Sequence, residues 1–146
     1  MEIQNRKAKF NYFIEEEIEC GIELVGNEVK SLRLGNANIK DSYGIIKNGE
    51  VYLLNMHIKK YEQSSNINVL DETRSRKLLL HKNEIKKLQN KLNLEGYTLV
   101  PIRVYLKGNK FKVSLGVCKG KKNYDKRETI KERDIKRKIE KELKKY

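Results

Sequence analysis

The sequence is poor in the residues that carry most catalytic and metal chemistry. Its 146 residues include two cysteines, two histidines, one proline and no tryptophan. Cys20 and Cys118 lie in apolar, strand-like segments without Cys-x-x-Cys spacing, so we expect reduced core residues and not a disulfide framework. Candidate metal ligands never occur at metal-ligand spacing and no Gly-rich phosphate loop is present, so we expect no metal and no other cofactor.

The lack of catalytic patterns favours a binding protein and not an enzyme. His57 falls in a strand pattern and His81 at a helix start, where structural roles are expected, and no Ser-His-Asp arrangement is visible. The alternative is a general acid–base nuclease that pairs His57 with a lysine. Long apolar segments are also missing, so we expect a cytoplasmic protein with neither a secretory signal nor a membrane partner.

Positive charge is what the sequence has in excess. The chain contains 33 Lys and Arg and 20 Asp and Glu, which gives a formal net charge of +13 at pH 7. From Lys119 onward there are thirteen basic and six acidic residues, a net +7, which leaves +6 for the first 118 residues. This charge favours a nucleic-acid partner over a merely solvated surface. At this length we expect one domain over residues 1–119 and a basic tail over residues 120–146.

The tail carries a narrow apolar stripe at helical spacing, made of Ile135, Ile139, Leu143 and Tyr146. So small an apolar surface barely supports an isolated helix in water. We therefore expect the tail to be disordered in the free protein and helical when it meets an anionic partner.

The strongest strand signal is a hairpin between residues 102 and 115, with a two-residue loop at Gly108-Asn109. A one-residue slip would turn its apolar face to water, so the register is strongly specified. The expected apolar pairs are Leu106 with Phe111, Val104 with Val113, and Ile102 with Leu115. The opposite, cationic face contains Arg103, Tyr105, Lys107, Lys110, Lys112 and Ser114.

Other strands follow from similar patterns. A second hairpin, within Tyr43 to Ile58, turns at Asn48-Gly49. Alternation from Phe10 to Leu24 is interrupted at Glu15-Glu16-Glu17, which predicts a β-bulge in a long strand. Pro101 should lie at a strand start or on an edge, because it has no N–H to donate.

Two helices and one loop complete the pattern. Asn27 is the expected N-cap of the first helix and Gly35 its C′ residue. The second helix shows Ile85, Leu88 and Leu92 at helical spacing and ends before Gly96. A mobile loop is expected from Tyr61 to Asp71. The sum is a mainly β fold, an oligonucleotide-binding-type antiparallel barrel of about six strands with flanking short helices.

An acidic stripe of Glu17, Glu19 and Glu23 is unusual on so basic a protein. Surface ion pairs with neighbouring lysines are the simple interpretation. The functional interpretation is that these carboxylates accept hydrogen bonds from RNA bases or riboses, although carboxylate-to-base contacts are the minority type in protein–nucleic acid interfaces.

Several long motifs in order resemble the small protein B family, the SsrA-binding proteins, and the likeness covers almost the whole chain. The motifs are Asn5-Arg6-Lys7-Ala8, Gly26-Asn27-Glu28-Val29-Lys30-Ser31-Leu32-Arg33, Asp41-Ser42-Tyr43, Arg74-Ser75-Arg76-Lys77-Leu78-Leu79-Leu80-His81-Lys82 and Gly120-Lys121-Lys122-Asn123-Tyr124-Asp125-Lys126-Arg127.

The resemblance implies a barrel that grips the tRNA-like domain of transfer-messenger RNA and delivers it to a stalled ribosome for trans-translation. It places Asn5, Glu19, Leu79 and Lys112 on the RNA side of the barrel, which favours the functional interpretation of Glu19. Neighbouring cations complete the expected RNA-binding set: Lys30, Arg76, Lys77 and Lys110.

The resemblance also implies that the tail occupies the decoding centre and the empty mRNA channel of the ribosome, with Tyr124, Asp125, Lys126 and Arg127 matching the family's segment. Its further basic residues are Lys119, Lys121, Lys122, Lys131 and Arg133. We expect a monomer. The alternative function is a general structured-RNA-binding or ribosome-associated barrel protein without rescue activity.

Overall fold

The computed structural model describes residues 2–61, 71–94, 96–121 and 123–143, without side chains for residues 123–125, 128–129 and 142–143. The strands in these residues are β1 (Glu2–Gln4), β2 (Tyr12–Ile22), β3 (Ala37–Asn38), β4 (Tyr43–Lys47), β5 (Glu50–Leu54), β6 (His57–Ile58), β7 (Arg76–Leu79), β8 (Tyr97–Lys107) and β9 (Lys110–Gly120). The helices are α1 (Ala8–Asn11), α2 (Gly26–Arg33), α3 (Lys82–Leu92) and α4 (Asn123–Leu143). A membrane-spanning helix is not found among them, since only α4 has sufficient length and its sequence is densely charged.

Six strands of the described chain close into an antiparallel ring, which confirms the predicted barrel. The order is β8-β4-β5-β7-β2-β9, and β9 returns to pair with β8. Strand β1 joins the outer edge of β8, and β3 and β6 form a separate two-stranded sheet. The ring closes through two short contacts: β2 pairs with β7 only at Gly21 and Ile22, and β4 pairs with β8 only at Gly44.

The barrel is filled by alternate residues of its strands, capped by two helices. Leu32 of α2 and Leu88 of α3 are almost completely buried in the same cluster as the barrel interior. The strand residues in this cluster include Val51, Leu53, Leu78, Leu99, Val113, Leu115 and Val117. Each such side chain contributes about 1.5–3 kcal/mol through burial.

Both cysteines are free and buried, as expected. Cys20 belongs to the barrel core, and Cys118 to a smaller cluster formed with Ala8, Val100 and Ile102. Burial raises the pKa of Cys20 to about 12 and that of Cys118 to about 11. Neither thiol therefore supplies a reactive thiolate at neutral pH.

Both predicted turns are confirmed. Asn48 and Gly49 adopt φ values of 53° and 73°, as a type I′ turn requires, and Lys47 pairs with Glu50. In the β8–β9 hairpin Gly108 has a φ of 63°. The predicted pairs of Leu106 with Phe111 and Val104 with Val113 are present. The bulge predicted at the glutamate run is also present, between Ile14 and Glu16.

The predicted pairing of Ile102 with Leu115 is wrong, because a second bulge interrupts β8. Leu115 pairs with Pro101, and the register shifts between Pro101 and Arg103. Pro101 therefore lies inside a long strand and not at its start, next to a bulge and between the parts of β8 that pair with β4 and with β1. The bulge turns Ile102 away from the barrel core into the smaller cluster with Cys118.

The helix termini are partly as predicted. Gly35, with a φ of 77°, follows the C-cap of α2, and α3 covers the predicted apolar positions. Asn27 is not the N-cap of α2: the cap is Val25, whose N–H donates to the Glu28 carboxylate at 3.1 Å. Residues 62–70 of the predicted loop lie outside the described residues.

Glu28 is also the centre of a buried ionic cluster that joins α2 to β7. Arg76 Nε donates to Glu28 Oε2 at 2.7 Å, and Arg74 Nε donates to the same oxygen at 3.1 Å. Arg76 is fully buried and also donates to the carbonyls of Met56 and Glu72. Burial raises the pKa of Glu28, but the hydrogen bonds from Arg74, Val25 and Arg76 outweigh it and lower the pKa below the ordinary 4.5.

We predict that this cluster makes the fold sensitive to acid. Because the folded pKa of Glu28 is depressed, its contribution to stability is present above about pH 4.5 and is lost as the pH falls through the folded value. Glu28→Gln leaves Arg76 buried without a counter-charge and should lower the free energy of unfolding by about 3–5 kcal/mol at neutral pH. The stability of the variant should also depend less on acid than that of the wild type.

Urea denaturation of both proteins at neutral pH and at about pH 3.5 measures these effects. Glu50→Gln is the matched control, because Glu50 forms an exposed pair with Lys77 at 3.4 Å. Loss of that pair should cost less than about 1 kcal/mol. Equal losses in the two variants would contradict a structural role for the buried cluster.

Candidate nucleic-acid interface

A row of paired residues crosses five strands on the outer face of the barrel. Gly21 of β2 pairs with Leu79 of β7 on one side and with Lys112 of β9 on the other. Lys112 in turn pairs with Tyr105 of β8, and Tyr105 with Glu2 of β1. Directly paired residues project from the same face of a sheet, so these side chains share one surface.

A groove of about 640 Å³ opens where this row meets the β8–β9 turn and residues from α2 and α3. Four of the sequence-predicted RNA-binding residues line it: Glu19, Leu79, Lys110 and Lys112. The remaining lining residues are Gly21, Ile22, Leu24, Val29, Leu80, His81, Glu84, Asn109 and Phe111. Two ammonium groups beside a 47% exposed leucine suit a phosphodiester chain with an accessible base.

Gly21 forms the floor of this groove. A Cβ atom placed there would lie 3.1 Å from Leu79 Cβ, closer than side chains normally pack. Glycine therefore keeps the space between Leu79 and Lys112 open. Sequence reasoning did not select Gly21, although a lone glycine in a strand pattern is a known sign of close approach by a ligand or backbone.

Glu19 lines the groove, and its carboxylate accepts hydrogen bonds from two side chains. The hydroxyl of Tyr105 donates to Glu19 Oε2 at 2.7 Å, and Lys107 Nζ donates to Oε1 at 3.1 Å. These hydrogen bonds, that of Tyr105 first, lower the pKa of Glu19. Burial and the bond to Glu19 raise the pKa of Tyr105 to about 12. Glu19 is therefore ionised and Tyr105 neutral at physiological pH.

Two further predicted cations lie on the surface. Lys77 is two residues before Leu79 on β7, so both side chains project from the same face, and it pairs with Glu50. Lys30 is exposed on α2, with its Nζ 5.4 Å from the centre of the Tyr61 ring.

Arg76 and Asn5, two of the predicted RNA contacts, are buried, although Asn5 lines a second groove together with Arg6 and Lys9. Arg76 is the buried partner of Glu28, since the alternation of β7 turns it inward while Lys77 and Leu79 point out. Asn5 is 6% exposed, and its Nδ2 donates to the carbonyl of Pro101 at 3.1 Å. Its own N–H donates to the Ile102 carbonyl at 2.8 Å. Asn5 therefore supports the bulge of β8.

The tail begins where β9 ends. The N–H of Lys121 donates to the Asn11 carbonyl at 2.9 Å, and its Nζ lies 4.8 Å from the centre of the Phe13 ring. Lys119 is exposed, with its Nζ 5.8 Å from the centre of the Tyr97 ring.

Helix α4 contacts α1 through cation–π pairs. Lys126 Nζ and Arg133 Cζ lie 5.9 Å and 5.8 Å from the centre of the Phe10 ring. Arg127 and Lys131 are exposed. Two residues of the apolar stripe are also exposed, Ile135 by 58% and Ile139 by 52%. Three expected tail residues lie outside the described ones, Lys122 entirely and Tyr124 and Asp125 in their side chains.

The described residues contain no group of three or more side chains suited to hold a metal ion. His57 Nε2 lies 3.7 Å from the Glu72 carboxylate, and His81 is the N-cap of α3. The features that distinguish the surface are the groove with its cations and the basic helix that leaves the barrel.

Fold and groove define a small antiparallel β-barrel with a cationic outer face. The SmpB protein family matches residues 2–145, and the chain belongs to this family. The SsrA-binding protein of Caldicellulosiruptor bescii is 56% identical over 142 residues, which are 97% of this chain and 89% of that protein. That of Clostridium botulinum is 57% identical over 141 residues, 97% of this chain and 90% of that protein.

A solved structure shares the fold at a TM-score of 0.69 and 45% identity, over 84% of this chain and 85% of the other. It is described as "tmRNA-SmpB: a journey to the center of the bacterial ribosome". The resemblance seen in the sequence motifs is confirmed.

We predict that the groove loses affinity for structured RNA when its floor is filled. Gly21→Val places two methyl groups against Leu79 and should weaken binding about tenfold, equivalent to 1.4 kcal/mol. The salt dependence should not change, because no charge is removed. Fluorescence anisotropy with a labelled RNA measures both quantities.

Gly26→Ala is the control for this measurement, since an added Cβ there meets nothing within 4 Å. A thermal unfolding curve establishes that each variant is folded. Wild-type affinity in a folded Gly21→Val protein would show that RNA does not use the floor of the groove.

Proposed function

We propose that this protein is an RNA-binding adaptor of ribosome rescue. It binds the tRNA-like domain of transfer-messenger RNA and delivers that RNA to stalled ribosomes for trans-translation, which tags incomplete proteins. Membership of the SmpB family carries the proposal. Relatives that are more than half identical over nearly the whole chain are SsrA-binding proteins, and the matched structure concerns tmRNA-SmpB and the bacterial ribosome.

The groove is the part of the barrel that we assign to the RNA. Lys110 and Lys112 supply positive charge, Leu79 supplies an exposed apolar contact, and Glu19 lies beside them. Lys77 extends this surface along β7, and Lys30 adds a cation on α2. Phosphate contacts of this kind fix the position of an RNA, while contacts to exposed bases give preference for one RNA over another.

The tail is the part that we assign to the ribosome. Helix α4 places its basic residues and its exposed isoleucines on the surface, where an RNA-lined channel could order them. By family resemblance Tyr124, Asp125, Lys126 and Arg127 meet the decoding centre, and an aromatic ring stacked on a base there contributes about 1–3 kcal/mol. Disorder of the tail in the free protein stays part of the proposal.

The remaining parts of the proposal concern the mode and place of action. We infer that the protein acts by binding and not as an enzyme, because its relatives are RNA-binding proteins by name. We also propose a monomer that works in the cytoplasm, where bacterial ribosomes translate.

We predict that Lys112→Ala weakens binding to the tRNA-like domain and reduces the slope of log K against log salt by about 0.7–0.9, the value for one lost phosphate contact. A salt titration of affinity measures this slope. Lys40→Ala is the matched control, because Lys40 is exposed but does not line the groove. An unchanged slope in Lys112→Ala would remove this lysine from the interface.

We predict that removal of residues 123–146 separates the two activities. The truncated chain keeps Lys121, whose N–H bonds to the Asn11 carbonyl, and loses the cation–π contacts of Lys126 and Arg133 with Phe10. Affinity for the tRNA-like domain should stay within about threefold of the full chain, a difference under 1 kcal/mol. Tagging of incomplete proteins on stalled ribosomes in a reconstituted translation system should disappear.

Two results would contradict this division. Tagging by the truncated chain would show that the tail is dispensable, and loss of RNA binding would place part of the RNA site in the tail. Equal affinity of the full chain for the tRNA-like domain and for bulk transfer RNA at physiological salt would favour a general RNA-binding protein instead.

A further inference from the structure

The Tyr105 side chain reaches across a whole strand on the outer face of the barrel. Tyr105 lies on β8 and Glu19 on β2, and β9 runs between them. The Tyr105 hydroxyl nevertheless bonds to Glu19 at 2.7 Å. Neighbouring strands are about 4.8 Å apart, so the side chains together span two such spacings. The aromatic ring is therefore held across β9, next to its paired residue Lys112.

The charge of Glu19 is already compensated within the protein. Lys107 Nζ lies 3.1 Å from Oε1 and 3.4 Å from Oε2, and Tyr105 donates to Oε2. A carboxylate directed at a phosphate backbone would repel it, whereas one that is paired with a lysine and a phenol does not present a net negative charge. With both oxygens already bonded, the Glu19 carboxylate is better suited to position Tyr105 and Lys107 than to accept a hydrogen bond from RNA.

The ring held by Glu19 carries a second group that suits RNA. The Arg103 guanidinium carbon lies 4.7 Å from the centre of the Tyr105 ring, within the range of a cation–π pair. Arg103 is exposed, and Nη1 is 3.8 Å from the Glu2 carboxylate, a weak surface contact. A guanidinium fork stacked on an aromatic ring can bind a phosphate through two hydrogen bonds or stack on an unpaired base.

We propose that Glu19 is a positioning residue: it fixes Tyr105 across β9, and the Tyr105 ring with Arg103, not the Glu19 carboxylate, contacts the RNA. The proposal rests on the proposed function and adds Tyr105 and Arg103 to its interface. It explains how an acidic residue serves a polyanion-binding surface. It also joins the groove to the β8 side of the same outer row, where Tyr105 pairs with Lys112.

A double-mutant cycle on the full-length protein tests the proposal, with labelled tRNA-like domain as the probe. Glu19→Gln keeps an oxygen that accepts the Tyr105 hydroxyl and should bind within about threefold of the wild type. Glu19→Ala and Tyr105→Phe each break the bond and should each weaken binding about tenfold. The double variant Glu19→Ala/Tyr105→Phe should be no weaker than Glu19→Ala, because the two residues act through one contact.

Arg103→Lys supplies the test of the contact itself. It keeps the charge but loses the planar fork, so binding should fall about tenfold with little change of salt slope. NMR signals of the Tyr105 ring, in protein with labelled tyrosine, should shift on RNA addition in the wild type and in Glu19→Gln. Thermal unfolding identifies any variant that fails to fold, and Glu19→Gln and Tyr105→Phe both replace side chains of nearly equal size.

The opposite pattern would overturn the proposal. If Glu19→Gln binds as weakly as Glu19→Ala while Tyr105→Phe binds like the wild type, Glu19 contacts the RNA directly. Failure of the proposed function is a separate result, seen as a wild type that does not prefer the tRNA-like domain. In that case the same cycle, measured with bulk transfer RNA, still decides whether Glu19 acts through Tyr105.

Discussion

The register of β9 is the constraint on which the rest of the structure depends. This strand pairs with β2 on one side and β8 on the other, and so closes the ring. Its register turns Val113, Leu115 and Val117 into the core and Lys112 onto the outer face. A slip by one residue would exchange these faces. The core and the candidate RNA surface are therefore two results of one set of backbone hydrogen bonds.

The elements that sequence reasoning predicted well are those decided by local chemistry. The turns at Asn48-Gly49 and Gly108-Asn109 follow from residues that accept positive φ, and each turn fixes the register of its hairpin near the loop. The interrupted alternation at Glu15 correctly indicated a bulge. In the groove, alternation alone placed Lys110 and Lys112 on the outer face, and the family resemblance added Glu19 and Leu79.

The elements that sequence reasoning missed depend on contacts between distant segments. Pro101 and Ile102 form a bulge that Asn5 stabilises, and no local pattern connects residues so far apart in the chain. Arg76 appeared to belong to a surface cluster of cations, yet it is buried on β7 because Glu28 of α2 supplies its counter-charge. Glu28 also accepts a hydrogen bond from the Val25 N–H, so the N-cap of α2 is Val25 and not the predicted Asn27.

The central claim is that the outer row on β7, β2, β9 and β8 meets the tRNA-like domain while helix α4 serves the ribosome. Backbone NMR of the full-length protein, titrated with unlabelled tRNA-like domain, tests this most directly. The account predicts that the largest shift changes occur at Leu79, Gly21, Lys112 and Tyr105, with α4 little affected. Changes confined to α3 or α4, with this row unchanged, would contradict it.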